Sequence, residues 1–142
     1  SVLGMVGIIV GKSTATYVSI YMPPVWAIPV VPILMALACI FLIALLIPSN
    51  FLSATRHPML WGITLWASSH LLANGDLASV IMFGGFAAYS LISMWSLNRR
   101  GAQKSTVRYS RLRDIMVVVI GMSLYALLVW LHPYVIGVPA IL

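Results

Sequence analysis

The sequence predicts an all-α fold, a polytopic transmembrane helical bundle with four full spans and one partial N-terminal span. Three observations predict it. Hydrophobic side chains make up 62% of the 142 residues, charged ones 7%, and the mean hydropathy is +1.07, so there is too little polar surface to cover a soluble globule. Six of the eight Lys and Arg residues fall in residues 98–113, between apolar runs. That is the pattern of a positive-inside loop, and it argues against a nucleic-acid surface despite the net charge of +6. The other ionisable groups gather in residues 55–79, which hold two of the three histidines and one of the two acidic residues. Ionisable groups among apolar spans are costly, so Arg56, His57, His70 and Asp76 mark a candidate functional region. Cys39 is the single cysteine and sits mid-span, so no internal disulfide forms.

The chain is organised as one membrane domain over residues 1–142. It starts at Ser1 inside an apolar run, and residues 2–10 are expected to be the tail of a helix that begins upstream. Gly7 and Gly11 have the spacing that lets helices approach closely. Gly11-Lys12-Ser13-Thr14 imitates the end of a phosphate-binding loop, but position 6 is Val6 where that motif needs glycine, and the motif is rejected. Pro23, Pro24, Pro29 and Pro32 with Trp26 predict a rigid entry segment and an interfacial anchor.

The second span is expected over residues 30–47 and is closed by Pro48-Ser49-Asn50. The third begins at Pro58, where the missing amide costs nothing, and runs to residue 73. Asn74-Gly75 provides C-cap chemistry, and Asp76 N-caps a fourth span over residues 77–97. Gly84 and Ala88 form a small-xxx-small pair in its middle. The basic loop follows, then a fifth span over residues 114–131, started by Asp114 and stopped by His132-Pro133. With the basic loop on the cytoplasmic, matrix or stromal side, alternation places Arg56 and His57 there too and Lys12, Asp76 and His132 opposite. Seven basic residues then lie inside and one outside.

His57 and His70 are thirteen residues apart on one helix, about 20 Å, too far to share a metal. His70 and His132 fall in the same leaflet. Two imidazoles reaching from two helices suit the axial positions of haem iron, oriented by Asp76 or a backbone carbonyl through their other nitrogen. The same residues also suit interface anchors that cap carbonyls, so both readings stand at this point. Arg56 and His57 read either as snorkelling interface residues or as an anionic-ligand site.

The blocks Thr55-Arg56-His57-Pro58-Met59-Leu60-Trp61-Gly62, Leu65-Trp66-Ala67, His70-Leu71-Leu72, Asn74-Gly75-Asp76, Phe83-Gly84-Gly85, His132-Pro133-Tyr134 and Gly137-Val138-Pro139 resemble the NnrU membrane family. Members of that family usually carry a further N-terminal helix, which is expected to be missing here. The resemblance implies a link to nitrogen-oxide metabolism in denitrifying bacteria. It also implies kinship with the plastid 15-cis-zeta-carotene isomerase, which uses histidine-ligated haem b. The expected function is therefore a haem-binding redox or isomerase-type protein acting on a lipophilic substrate, with His70 and His132 on the iron and Asp76 beside them.

An accessory subunit of a larger respiratory or photosynthetic complex is the first alternative. The second is an S-adenosylmethionine-dependent membrane methyltransferase built on Arg56 and His57, because the Arg-His-Pro-Met block is similar to such enzymes. Those enzymes carry paired acidic residues further on, and this chain has only Asp114 after Asp76. Expected partners are the lipid bilayer and other membrane subunits, with no nucleic acid. The expected location is a bacterial inner membrane or an organellar inner membrane.

Overall fold

The computed structural model describes residues 2–138 and residue 140, and among these every regular element is helical. The order is α1 (Val2–Thr14), α2 (Ala27–Leu46), α3 (Phe51–Ala54), α4 (Pro58–Ala73), α5 (Leu77–Arg99) and α6 (Arg111–Ile136). Three of them, α2, α5 and α6, are long and apolar enough to cross a membrane. The expectation of four full spans is corrected at α4. Pro58 fixes its start and Asn74 its end, and the 16 residues between rise only about 24 Å against a hydrocarbon core of about 30 Å. α1 has 13 residues and runs past residue 10 to Thr14.

Two proline predictions also move. α2 starts at Ala27 and carries Pro32 inside it, and α6 continues through Pro133 to Ile136. A proline removes one hydrogen bond and crowds the preceding turn, but it does not prevent the residues after it from remaining helical. What ends α6 is Gly137, at φ 87°, whose amide donates to the Pro133 carbonyl at 3.0 Å. Pro139 of the C-terminal motif lies outside the described residues. At the other end of α6 the helix begins at Arg111, and Asp114 sits in its first turn.

α2 is the centre of the bundle: α4 packs on one side of it and α6 on another, α5 packs on α4, and α1 touches α5. Small residues make these contacts close. Ala38, Ala44, Gly62, Ala67 and Gly121 are buried, while Leu45, Ile81, Ile92, Val119 and Leu127 face outward. Burying small side chains and exposing large ones is what an apolar solvent permits, since lipid competes with helix contacts on equal terms. Ile43, Ala44 and Val117 form the core between α2 and α6, flanked by Ile40, Phe51 and Leu124.

The close approaches occur at other glycines than the spacing patterns suggest. A Cβ on Gly7, Gly11, Gly84 or Gly85 meets nothing within 4 Å. A Cβ on Gly121 would lie 2.8 Å from Ile40 Cα and 3.1 Å from Ile40 N, which is backbone and cannot swing aside. Gly121→Val is therefore expected to push α6 off α2 and destabilise the protein by about 1–3 kcal/mol, as overpacking does. Gly84→Ala should be neutral or slightly stabilising. Thermal unfolding of the detergent-solubilised variants checks both, and equal effects at the two glycines would contradict the packing of α6.

Candidate functional site

The turn between α4 and α5 has three residues in which to end one helix and begin the next. Asn74 closes α4 twice, since its backbone amide and its side-chain amide each donate to the His70 carbonyl at 2.9 Å. Asp76 opens α5 as N-cap: its carboxylate accepts from the Ser79 amide at 3.0 Å and from the Ser79 hydroxyl at 2.6 Å. Lys12, near the end of α1, donates to the same carboxylate at 2.7 Å and to the Ser79 oxygen at 2.7 Å.

An extended segment lies over this turn. Ile20 N and Tyr21 N donate to the Gly75 carbonyl at 2.8 and 3.1 Å, and Leu77 N donates to the Val18 carbonyl at 2.8 Å. The Tyr21 hydroxyl reaches the carbonyls of Leu71 and Asn74. The spacing had suggested C-cap chemistry for Gly75, but its φ is not in the left-handed region. Glycine is needed there for a different reason: a Cβ would fall 1.8 Å from the Tyr21 carbonyl oxygen.

The electrostatics of Asp76 follow from these partners. Burial alone would raise its carboxyl pKa, but hydrogen bonds from Lys12 and Ser79, together with the Lys12 charge, outweigh burial and bring it down to about 2. It is a fixed anion whose capacity to accept is largely used. Neither His70 nor His132 hydrogen-bonds to it.

His70 is half-buried on the last turn of α4, within an aromatic wall shared with α5. Its ring stacks on Phe83 at 4.5 Å and lies 5.1 Å from Trp66, which in turn meets Phe83 and Phe86 edge-on. Its Nδ1 donates to the Trp66 carbonyl at 2.9 Å. His132, near the end of α6, does the same with the Val138 carbonyl at 2.6 Å. A carbonyl can only accept, so each ring carries its proton on Nδ1 and presents a lone pair at Nε2. Neither Nε2 has a hydrogen-bond partner among the described residues. α4 and α6 both pack on α2 and both start at its exit end, where Asn50 meets Asp114, so His70 and His132, near the ends of those helices, lie toward one end of the bundle.

Arg56 and His57 are at the opposite end. Arg56 Nη1 and His57 Nε2 converge on the Asn98 side-chain oxygen at 3.2 and 3.1 Å, joining the start of α4 to the end of α5. His57 thus carries its proton on Nε2, unlike the other two histidines. At this same end Asn50 clamps α2 to α6: its backbone and side-chain nitrogens donate to Asp114 at 2.8 and 2.7 Å, and it exchanges bonds with the Tyr109 backbone. No cluster of three or more His, Cys, Asp or Glu able to hold a metal ion occurs among the described residues.

Lys12, Tyr21, Ser79 and Asn50 are the site and joint residues that sequence reasoning did not single out. A signal existed for Lys12, because it is the lone basic residue on the side of the bundle where alternation places Asp76. The pairing generates a prediction. Lys12→Met and Asp76→Asn should each lower thermal stability, and the double variant should cost less than their sum, because either single change removes the same ion pair. Asp76→Asn should be milder than Asp76→Ala, since asparagine retains the cap on Ser79. With the folded carboxyl held below its ordinary value, its stabilisation is complete above pH about 4 and lost as pH falls toward 2. In Lys12→Met the pH-dependent part of the stability should be smaller and its loss should be complete at higher pH. Strictly additive single effects would show that the contact does not contribute.

Comparison with known proteins adds the family. No curated protein and no solved structure matches the chain. One family model, described as NnrU protein, matches residues 1–140, which include the turn, both uncommitted imidazoles and the α2 to α6 contact. The chain belongs to the NnrU family.

Proposed function

We propose that this chain is a membrane-embedded haem protein that acts on a lipophilic substrate, in which His70 and His132 would hold the haem iron. The observation that carries the reading is the matched state of the two imidazoles: each gives Nδ1–H to a backbone carbonyl and leaves Nε2 uncommitted, as ligating histidines do. The donor set suits iron porphyrin, and Trp66, Phe83 and Phe86 offer flat apolar surface beside His70. Haem when bound supplies one-electron chemistry at its iron.

The rest of the work falls to this chain's own residues. The Trp66 and Val138 carbonyls fix the tautomer and rotation of the two rings. The aromatic wall excludes water from the His70 face. Asp76 acts at one remove, because it starts α5 and so sets where Phe83 and Phe86 stand against α4. A second reading, a non-catalytic subunit of a larger membrane assembly, is favoured by one observation: Gly7 and Gly11 on α1 and Gly84 and Gly85 on α5 leave open space where another helix fits.

An absorbance spectrum of the purified protein separates the two. The haem reading expects a Soret band that His70→Ala or His132→Ala abolishes or shifts from low spin, while His57→Ala leaves it unchanged. Absence of any haem band from protein purified from its native membrane would leave the subunit reading.

We also propose that the end carrying residues 98–113 faces the cytoplasm, matrix or stroma. Seven of the eight basic residues gather at that end, now including Arg56 through its bond to Asn98. A cysteine at the exposed Gln103 should resist an impermeant thiol reagent in sealed right-side-out vesicles, and ready labelling would invert the topology.

A further inference from the structure

At the end of the bundle where α2 exits and the basic loop leads into α6 lies an open cavity of about 590 Å³. Asn50, Ser53, Lys104, Ser105, Thr106 and Arg108 line it. Its hydrogen-bonding capacity is one-sided. Lys104 spends one of its three N–H groups on the Ala54 carbonyl at 2.9 Å and keeps two. The Ser105 oxygen accepts from the Val107 amide at 3.3 Å, so its own hydrogen is free to donate. Neither the Thr106 hydroxyl nor the Arg108 guanidinium has a hydrogen-bond partner among the described residues.

No carboxylate lines the cavity. The acidic side chain nearest in the fold, Asp114, is held by Asn50, which in turn has its own amide committed to Asp114 and Tyr109. Two cations and two hydroxyl donors with no competing anion constitute a receptor for a phosphate group. Its surroundings decide what the phosphate is attached to. Val107, 53% exposed, stands in sequence between the lining residues Thr106 and Arg108, and Leu112, 65% exposed, is in the first turn of α6, a helix long and apolar enough to cross a membrane.

We propose that this cavity binds the phosphate of an anionic phospholipid, with Lys104 and Arg108 on the headgroup and the acyl chains running down past Leu112. The proposal depends on α2 and α6 lying in a bilayer and is independent of haem. A lipid held there bridges the α2 exit to the loop before α6, the same junction that Asn50 and Asp114 secure from the protein side.

The test uses the full chain in discs made from equal parts phosphatidylcholine and phosphatidylglycerol, with lipids retained after release counted by native mass spectrometry. Wild-type protein should retain phosphatidylglycerol in preference to phosphatidylcholine by about tenfold, given two cations at the headgroup. Lys104→Gln with Arg108→Gln should remove the preference, and Lys104→Arg with Arg108→Lys should keep most of it. Arg99→Gln with Arg100→Gln, at the end of α5 where the loop begins but outside the cavity, should leave it intact. Thr106→Val, which keeps every charge, should reduce the preference about threefold, so the idea remains testable if the double glutamine variant fails to fold.

Equal loss in the Arg99 and Arg100 variant would mean diffuse attraction to the loop and would overturn the site. Complete displacement of the lipid by millimolar inorganic phosphate would assign the cavity to a soluble phosphate and overturn the lipid.

Discussion

The carboxylate of Asp76 is the interaction on which the rest of this architecture depends. It caps α5, it fixes Ser79 through both amide and hydroxyl, and it receives Lys12 from α1 across 64 positions of sequence. Breaking a partly buried pair by deleting one partner is more damaging than never having it, because the remaining charge loses its compensation. The turn around it is correspondingly overdetermined, with residues 18–21 hydrogen-bonded across it and no room at Gly75 for a side chain. α4 and α5 are thereby set side by side, and with them the stacked rings of His70 and Phe83.

Much of this was legible in the sequence for physical reasons that act locally. Hydropathy and the clustering of Lys and Arg indicate helices in a bundle and the end at which its basic residues gather. Pro58 and the Asn74 to Asp76 turn bound α4 within a residue of where they occur. What failed was length and contact. The 16 residues of α4 are apolar enough to resemble a span but too few to be one, and its buried Pro58, Leu60, Thr64 and Ser69 show it packed between α2 and α5. The small-residue patterns at Gly7, Gly11 and Gly84 suggested close helix approach, yet the tight contact falls at Gly121, which no spacing motif marks. A close contact requires two partners, and a one-sequence pattern describes only one of them.

The candidate site divides along the same line. That His57 could not join His70 follows from helix rise alone. That His70 and His132 occupy one end follows from counting helices. Their protonation does not follow from either, because it is set by the Trp66 and Val138 carbonyls, backbone groups that every sequence possesses. Lys12 illustrates the reverse case, a side chain whose partner becomes evident only when α1 is laid against α5.

The chain contains two carboxylates, and both serve as fasteners, Asp76 joining α1 to α5 and Asp114 receiving Asn50 where α2 meets α6. One stands at each end of the bundle. A side chain that exchanges protons in acid–base chemistry needs a pKa near the working pH. A carboxyl held at about 2 stays ionised through the whole physiological range, and neutralising Asp76 would loosen the turn that α5 starts from. Proton uptake at Asp76 would therefore be felt first as a mechanical event, the release of α1 from the start of α5.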